Sequence, residues 1–354
     1  NFNSRHTPSL IFKKKSPILV AEISANHNGK LEIAKKLIKC AKDNGADAVK
    51  LQTYKPETMT VNSNKKYFKI KKGLWKNYNL WGLYKKAHTP YEWHKELFNY
   101  AKKLNILCFS TPFDESAVDL LEKLNCPIYK IASFEMKDFS LIKKISETKK
   151  PVIISTGMAT LPEIEETYNY AKKCGIKDIA LLYCVSNYPS KISDFSLNNI
   201  KIMKEKFNCT IGFSDHSKND DIAFSSVIAG AEIIEKHIAL ANQKKGFDIA
   251  FSLKGKEISR FKNRIELAKT ILGKKEFFRN KTENLSKIFR RSIFSIKKIK
   301  KGEKFSKENI KNIRPGYGLE PKYLSKLIGK KSPQIFDFGQ PLNKNILKKL
   351  KIND

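Results

Sequence analysis

The chain has 354 residues, 41% of them hydrophobic and 11% aromatic, a composition that excludes a largely disordered chain. That length exceeds what one core usually serves, so a large domain of roughly 250 residues plus a smaller one is expected. The formal net charge of +34 raises nucleic acid or an anionic membrane as partners, but the 69 Lys and Arg are spread along the whole chain beside Asn and Ile. They read as solvated faces that favour anionic substrates, and no nucleic-acid or membrane partner is expected.

In chain order, an apolar run at 18–24 carries Glu22 and is followed by Asn26-His27-Asn28. Residues 31–44 put Leu31, Ala34, Leu37, Ile38 and Ala41 on one stripe and stop at Gly45, which predicts a helix. The second run, 48–54, carries Lys50 and Gln52. Residues 55–90 are too long for an ordinary strand–helix loop and hold Phe68, Leu74, Trp75, Tyr78, Trp81 and Tyr84; they form either a substrate lid or a hydrophobic flap.

Further runs follow at 106–113, 129–133, 152–157, 179–186, 210–216 and 231–240. Helical patterns separate them, among them 116–124 and 161–174, the latter with Pro162 early and Gly175 just past its end. Eight runs nearly bare of internal charge read as strands buried on both faces. Alternating with helices, and with no Gly-x-Gly-x-x-Gly after the first, they predict an α/β fold, a (β/α)8 TIM barrel rather than an open doubly wound sheet. After about residue 280 the pattern turns to short strands and turns, so 281–354 is expected to form a small, mostly β domain behind a barrel domain at 1–280.

The six cysteines show no C-x-x-C and no zinc-ligand spacing, and Cys108 lies inside the apolar run Ile106-Leu107-Cys108-Phe109. Reduced core thiols in a cytoplasmic protein are expected. Residues 1–11 lack an apolar stretch of leader length, and no run approaches the ~18 apolar residues of a membrane span.

Polar side chains gather where the predicted strands end: Glu22, Lys50, Gln52, Thr111, Lys130, Ser133, Ser155, Ser186, Tyr188, Ser214, His216, Glu235 and His237. In a barrel, that rim builds the active site. His216 and His237 on neighbouring strands suit one divalent ion at an open site, a Lewis acid for a carbonyl. Lys50 and Lys130 sit in apolar strands, where an unpaired ammonium is costly. A bound phosphate or carboxylate, a rim carboxylate such as Glu22 or Glu235, or Schiff-base chemistry would each account for them. Glu22 and Glu235 are the candidate acid–base carboxylates.

Ala21-Glu22-Ile23-Ser24-Ala25-Asn26-His27-Asn28-Gly29, Val49-Lys50-Leu51-Gln52-Thr53-Tyr54, Ser110-Thr111-Pro112-Phe113, Lys130-Ile131-Ala132-Ser133, Gly212-Phe213-Ser214-Asp215-His216 and Glu235-Lys236-His237 together resemble the sialic acid synthases of the N-acetylneuraminate synthase family. Arg291-Ser292-Ile293 and Arg314-Pro315-Gly316-Tyr317-Gly318 resemble its antifreeze-like SAF domain. Gly73-Leu74-Trp75 and Ala132-Ser133-Phe134-Glu135 look most like the pseudaminic acid synthase branch.

The resemblance implies condensation of phosphoenolpyruvate with an amino-sugar aldehyde, here 2,4-diacetamido-2,4,6-trideoxy-L-altrose, giving a nonulosonic acid and phosphate. It implies that Lys50, Thr111, Lys130, Ser133, Ser155 and Ser214 bind phosphoenolpyruvate. His216 and His237 would coordinate Mn²⁺ or Mg²⁺, and Glu22 would manage proton and water chemistry. Gln52, Ser186, Tyr188, Glu235, Asp248 and Arg314 would contact the acceptor, Arg314 across a domain-swapped homodimer. Ser186 stands where neuraminate synthases usually have asparagine, which favours an acceptor other than N-acetylmannosamine. The alternatives are a neuraminate or other nonulosonate synthase, a lysine-dependent aldolase, and an anion- or nucleic-acid-binding protein.

Overall fold

The computed structural model describes residues 17–353; residues 1–11, read above for a leader, lie outside them. Eight strands, β1 (Ile18–Glu22), β2 (Ala48–Thr53), β3 (Leu107–Pro112), β4 (Tyr129–Ile131), β5 (Val152–Ser155), β6 (Ile179–Cys184), β7 (Thr210–Asp215) and β8 (Ile233–Ala239), pair in chain order. Every pairing is parallel, and β1 also pairs with β8, which closes the barrel. The expected (β/α)8 barrel is therefore present. Its strands are buried almost throughout because helices cover their outer face and packed side chains fill the inner one, and their charged residues gather toward the C-terminal ends.

The helices form where periodicity and caps agree. Leu31–Asp43 buries Ala34, Leu37, Ile38 and Ala41, all from the predicted stripe. Leu161–Lys173 opens with a capping box in which Glu163 accepts from the Thr160 backbone amide at 2.7 Å. Such a cap stabilises a helix by about 1 kcal/mol. Gly175, with φ +92°, takes the left-handed turn just beyond its end.

Register is what assembles the rim. Glu22 on β1 lies opposite Lys50 on β2 and opposite His237 on β8, and Ser214 on β7 lies opposite Glu235. Side chains alternate along a strand, so Glu235 and His237 share one face and Lys236 takes the other. There, Lys236 is fully buried and ion-paired with Asp215 at 2.9 Å. The sequence reading passed over this outer pair.

Two compact units divide after Gly273, whose φ of +66° ends the helix Glu257–Leu272. The second unit has the antiparallel strands β9 (Ser292–Ser295) and β10 (Ile310–Ile313), with Ile293, Ile299, Phe305, Phe336 and Leu342 in a core of its own. Arg314 follows β10 and is exposed. Among the described residues, no helix is long and apolar enough to cross a membrane, and all six cysteines are free.

Candidate active site

A cavity of about 430 Å³ opens at the C-terminal ends of the barrel strands. Lys50, Gln52, Lys130, Ser133, Ser155, Tyr188, Ser214, His216, Glu235, His237 and Asp248 all line it. Eleven of the residues picked from sequence thus share one space. Glu22 and Thr111 stand behind Lys50, and Ser186 sits beside Ser133 at Gly157, where an added Cβ would fall 2.5 Å from Ser133 and 2.7 Å from the Ser186 hydroxyl. Gly157, at φ +39°, is thus needed for both its backbone and its lack of a side chain. Arg314 belongs to the second unit.

The two lysines differ in their company. Lys50 Nζ is 2.7 Å from Glu22 Oε2 and 3.5 Å from Glu235 Oε1, and it donates to Thr111 Oγ1 at 2.9 Å. Gln52 Nε2 donates to the other oxygen of Glu22 at 3.0 Å. Burial opposes the Lys50 charge, but Glu22 and Glu235 outweigh it and raise the pKa. The rim-carboxylate reading therefore describes Lys50.

Lys130 is equally buried, and among the described residues it forms no ion pair; its Nζ donates to Ser155 Oγ at 2.6 Å and to the Ile131 carbonyl at 3.1 Å. Burial, with Lys50 adding to it and Glu235 opposing it, lowers its pKa. An ammonium held this way costs several kcal/mol. A bound anion would remove that cost.

Burial works to raise the Glu235 pKa, yet Lys130 and Lys50 outweigh it and hold the carboxyl down to about 2. Its Oε2 is buried without a hydrogen-bond partner. On the neighbouring edge, His216 and His237 stand with ring centroids 5.6 Å apart. His216 Nδ1 lies 3.0 Å from the Val185 carbonyl, so Nδ1–H donates there and Nε2 keeps its lone pair. Burial first, then His237, lowers His216 to about 4, which leaves it neutral near pH 7.

His237 Nδ1 lies 3.5 Å from Asp248 Oδ2, the carboxylate–imidazole pairing that orients metal-binding histidines. Asp248 is itself placed by Asn26, whose Oδ1 accepts from the Asp248 amide at 3.2 Å. Among the described residues, no group of three or more His, Cys, Asp or Glu is arranged to hold a metal. The donor set fits an open two-imidazole site whose remaining positions are left to water and substrate oxygens.

The opposite wall is apolar and comes largely from residues 55–90. Met59, Ile70, Trp75, Leu80, Leu83 and Ala87 line the cavity. Trp75 Nε1 donates to the Phe247 carbonyl at 3.1 Å, and its ring packs 5.5 Å from Tyr188. At the far end of the segment, the Thr89 hydroxyl meets His27 Nε2 at 3.2 Å and the Pro90 carbonyl meets His94 Nδ1 at 3.0 Å. The segment packs on the barrel and walls the cavity at once.

Glu135 also lines the cavity, and the sequence reading gave it no role. Burial, opposed by Lys130, pushes its carboxyl up to about 7. The available signal was an acidic residue two places after Ser133 at a strand end.

A closed parallel barrel with buried cations, hydroxyls and two imidazoles on its C-terminal rim, followed by a small second unit, defines a class: barrel enzymes acting on an anionic substrate. The model of the NeuB family matches residues 37–277, and that of the SAF domain matches residues 290–347. A pseudaminic acid synthase of Helicobacter pylori is 44% identical over 92% of this chain and 96% of its own, and one of Campylobacter jejuni is 42% identical over 93% and 96%. The solved N-acetylneuraminic acid (sialic acid) synthetase of Leptospira borgpetersenii, in complex with citrate, superposes with a TM-score of 0.69 at 32% identity, covering 77% of this chain and 90% of that one. The chain belongs to the NeuB family and is an enzyme.

Proposed function

We propose that the chain condenses phosphoenolpyruvate with 2,4-diacetamido-2,4,6-trideoxy-L-altrose and water to give a nonulosonic acid and inorganic phosphate, as a pseudaminic acid synthase does. The observation that carries the anion half is Lys130, a buried ammonium bonded to the Ser155 hydroxyl and the Ile131 carbonyl, with no ion-pair partner among the described residues. Lys130, Lys50, Ser133, Ser155 and Ser214 bind the phosphate and carboxylate of phosphoenolpyruvate, and Thr111 holds Lys50 toward them.

Mn²⁺ or Mg²⁺ on His216 and His237 would polarise the acceptor aldehyde as a Lewis acid. C3 of phosphoenolpyruvate bonds to C1 of the aldehyde with its π electrons, the C=O π pair moves to the aldehyde oxygen, which takes up a proton and becomes a hydroxyl, and C2 becomes cationic. Glu235, ionised and with a free oxygen, stabilises that cation. Water adds at C2 and gives its proton to a site carboxylate. Glu22, held by Lys50 and Gln52 behind the cavity, is the carboxylate read for that role. Collapse of the tetrahedral intermediate expels phosphate and leaves the C2 ketone.

Gln52, Tyr188 and Asp248 contact the acceptor, Ser186 supports that edge, and Arg314 reaches the acceptor of a partner copy in a domain-swapped homodimer. The free cysteines suit a reducing cytoplasm. The test is phosphate release from phosphoenolpyruvate with the altrose derivative, N-acetylmannosamine and N-acetylmannosamine 6-phosphate side by side. Turnover of the altrose derivative well above the other two is expected, whereas preference for N-acetylmannosamine would make the chain a neuraminate synthase. No release with any acceptor would remove the condensation.

A further inference from the structure

Each imidazole of the site follows one member of a buried ion pair. Asp215, which precedes His216, lies opposite Lys236, which precedes His237, in the register of β7 against β8. Lys236 Nζ is 2.9 Å from Asp215 Oδ2, and both side chains are buried. The ammonium also lies 5.9 Å from the ring centroid of Phe261, a buried residue of the helix Glu257–Leu272.

The pair faces away from the cavity, and stability alone does not account for it. Taking two charges out of water is expensive, and apolar side chains of similar volume in their place often leave a fold as stable or more so. What apolar side chains could not do is bond the backbone, and both ions do. Asp215 Oδ1 accepts from the Ser217 amide at 2.8 Å, and Lys236 Nζ donates to the Ser217 carbonyl. His216 stands between these points. Its own carbonyl accepts from the Ser190 amide at 3.0 Å, and its ring is tied to the Val185 carbonyl.

The two histidines differ in what else could hold them. His237 lies inside β8, where the ladder to β1 sets it opposite Glu22. His216 is one residue past the end of β7, beyond the last ladder pairing with β8. Lys236 is thus a side chain of the firm strand reaching across to hold the free end of its neighbour. Among the described residues no group of three ligating side chains exists, so a shift of His216 by about 0.5 Å could not be made up by another ligand.

We propose that Asp215 and Lys236 are positioning residues for the divalent ion: the pair clamps the turn after β7 and so keeps His216 beside His237 as one site. This rests on the metal reading of the two histidines above. The clamp acts through the backbone from the outer face of the barrel and touches neither substrate.

The test is Mn²⁺ binding to the full chain without substrates, by calorimetry and by the electron paramagnetic resonance signal of free Mn²⁺, with phosphoenolpyruvate binding without metal and thermal melting measured alongside. Lys236→Met alone strands Asp215 as a buried charge and should lose stability, so Asp215→Asn/Lys236→Met carries the test. The double variant removes both charges, keeps an accepting oxygen for the Ser217 amide and loses the bond to the Ser217 carbonyl. It should melt within about 5 °C of wild type, as a buried pair replaced by neutral side chains does. Its Mn²⁺ affinity should fall about 10-fold, the lower end of what losing a partner behind a metal-binding histidine costs. Its phosphoenolpyruvate affinity should stay within about threefold, since Lys130 and Ser155 lie on other strands.

Unchanged Mn²⁺ affinity in the folded double variant would overturn the inference. An equal loss of phosphoenolpyruvate affinity would also overturn it, because a general loosening of the barrel would produce that. A double variant unable to fold would do the same, since the pair would then serve the fold itself. Wild type that binds no Mn²⁺ would overturn the metal reading and this inference with it.

Discussion

The two halves of the cavity are built differently. The anion half comes from strands: Lys50, Lys130, Ser155, Ser214 and Glu235 are fixed by barrel register, are nearly all inaccessible to water, and are locked in ion pairs and hydrogen bonds. The acceptor half comes from the long segment after β2 and from turns, where aromatic and aliphatic side chains make a wall with few polar partners. Strand-built groups hold charge to a fraction of an ångström, as stabilising a transition state requires. A loop-built wall can change its sugar without disturbing them.

Removing the imidazoles should have the largest effect and would break the strand-built half outright. His216→Ala and His237→Ala should each lower metal-dependent phosphate release at least about 10³-fold, as should a chelator on the wild type, because several kcal/mol of carbonyl polarisation is lost. Normal turnover in both variants would take the metal out of the mechanism.

The two lysines sharpen the comparison inside that half. Lys50→Met removes the ion-pair partner of Glu22 and one of the two cations beside Glu235, and should cost about 3–5 kcal/mol of stability in denaturant unfolding. Lys130→Met deletes a buried charge that has no ion pair among the described residues, but also the larger of the two cations that hold Glu235 ionised, so the loss of stability should be smaller than in Lys50→Met. Equal destabilisation by the two would mean that Lys130 is also paired.

The anchor of the loop-built half should show itself in pH. Burial, with His88 and His94, lowers His27 from 6.5 to about 4, while its Nε2 meets the Thr89 hydroxyl where the segment returns to the barrel. Between those values the unfolded chain binds the proton and the folded chain does not. Stability is therefore full above pH 6.5 and falls as the pH drops towards 4, by roughly 3 kcal/mol from this group. Unfolding monitored across that window should lose about one proton of slope in His27→Gln.

The smallest effect is at the wall. Trp75→Phe removes the donor to the Phe247 carbonyl and should raise the acceptor KM about fivefold, with the phosphoenolpyruvate KM untouched. A matching rise in both would mean that the halves are coupled.

This division also explains what could be read in advance. The strands were legible because a barrel strand is apolar except where it ends, so Lys50, Lys130, Glu235 and the two histidines stood out. The partners of Lys50 were not legible, since Glu22 and Glu235 meet it through inter-strand register that no local pattern encodes. Residues 55–90 left lid and flap open because their aromatic residues follow neither helical nor strand spacing; the structure forms short helices at Pro56–Met59 and Leu80–Ala87 and uses both faces. Glu135 escaped because an acidic residue in a turn reads as solvent-exposed until the wall opposite it is known. Lys236 and Asp215 were not legible because their pairing on the outer face depends on the register of β7 against β8.

The most direct test of the central claim, that Lys130 is an anion seat held ready by the barrel, is phosphoenolpyruvate binding by calorimetry and thermal shift in wild type and Lys130→Met, without acceptor. Wild type should bind and melt higher with ligand, and Lys130→Met should still fold yet lose at least about 10-fold in affinity. A folded Lys130→Met that binds phosphoenolpyruvate as tightly as wild type would contradict the account.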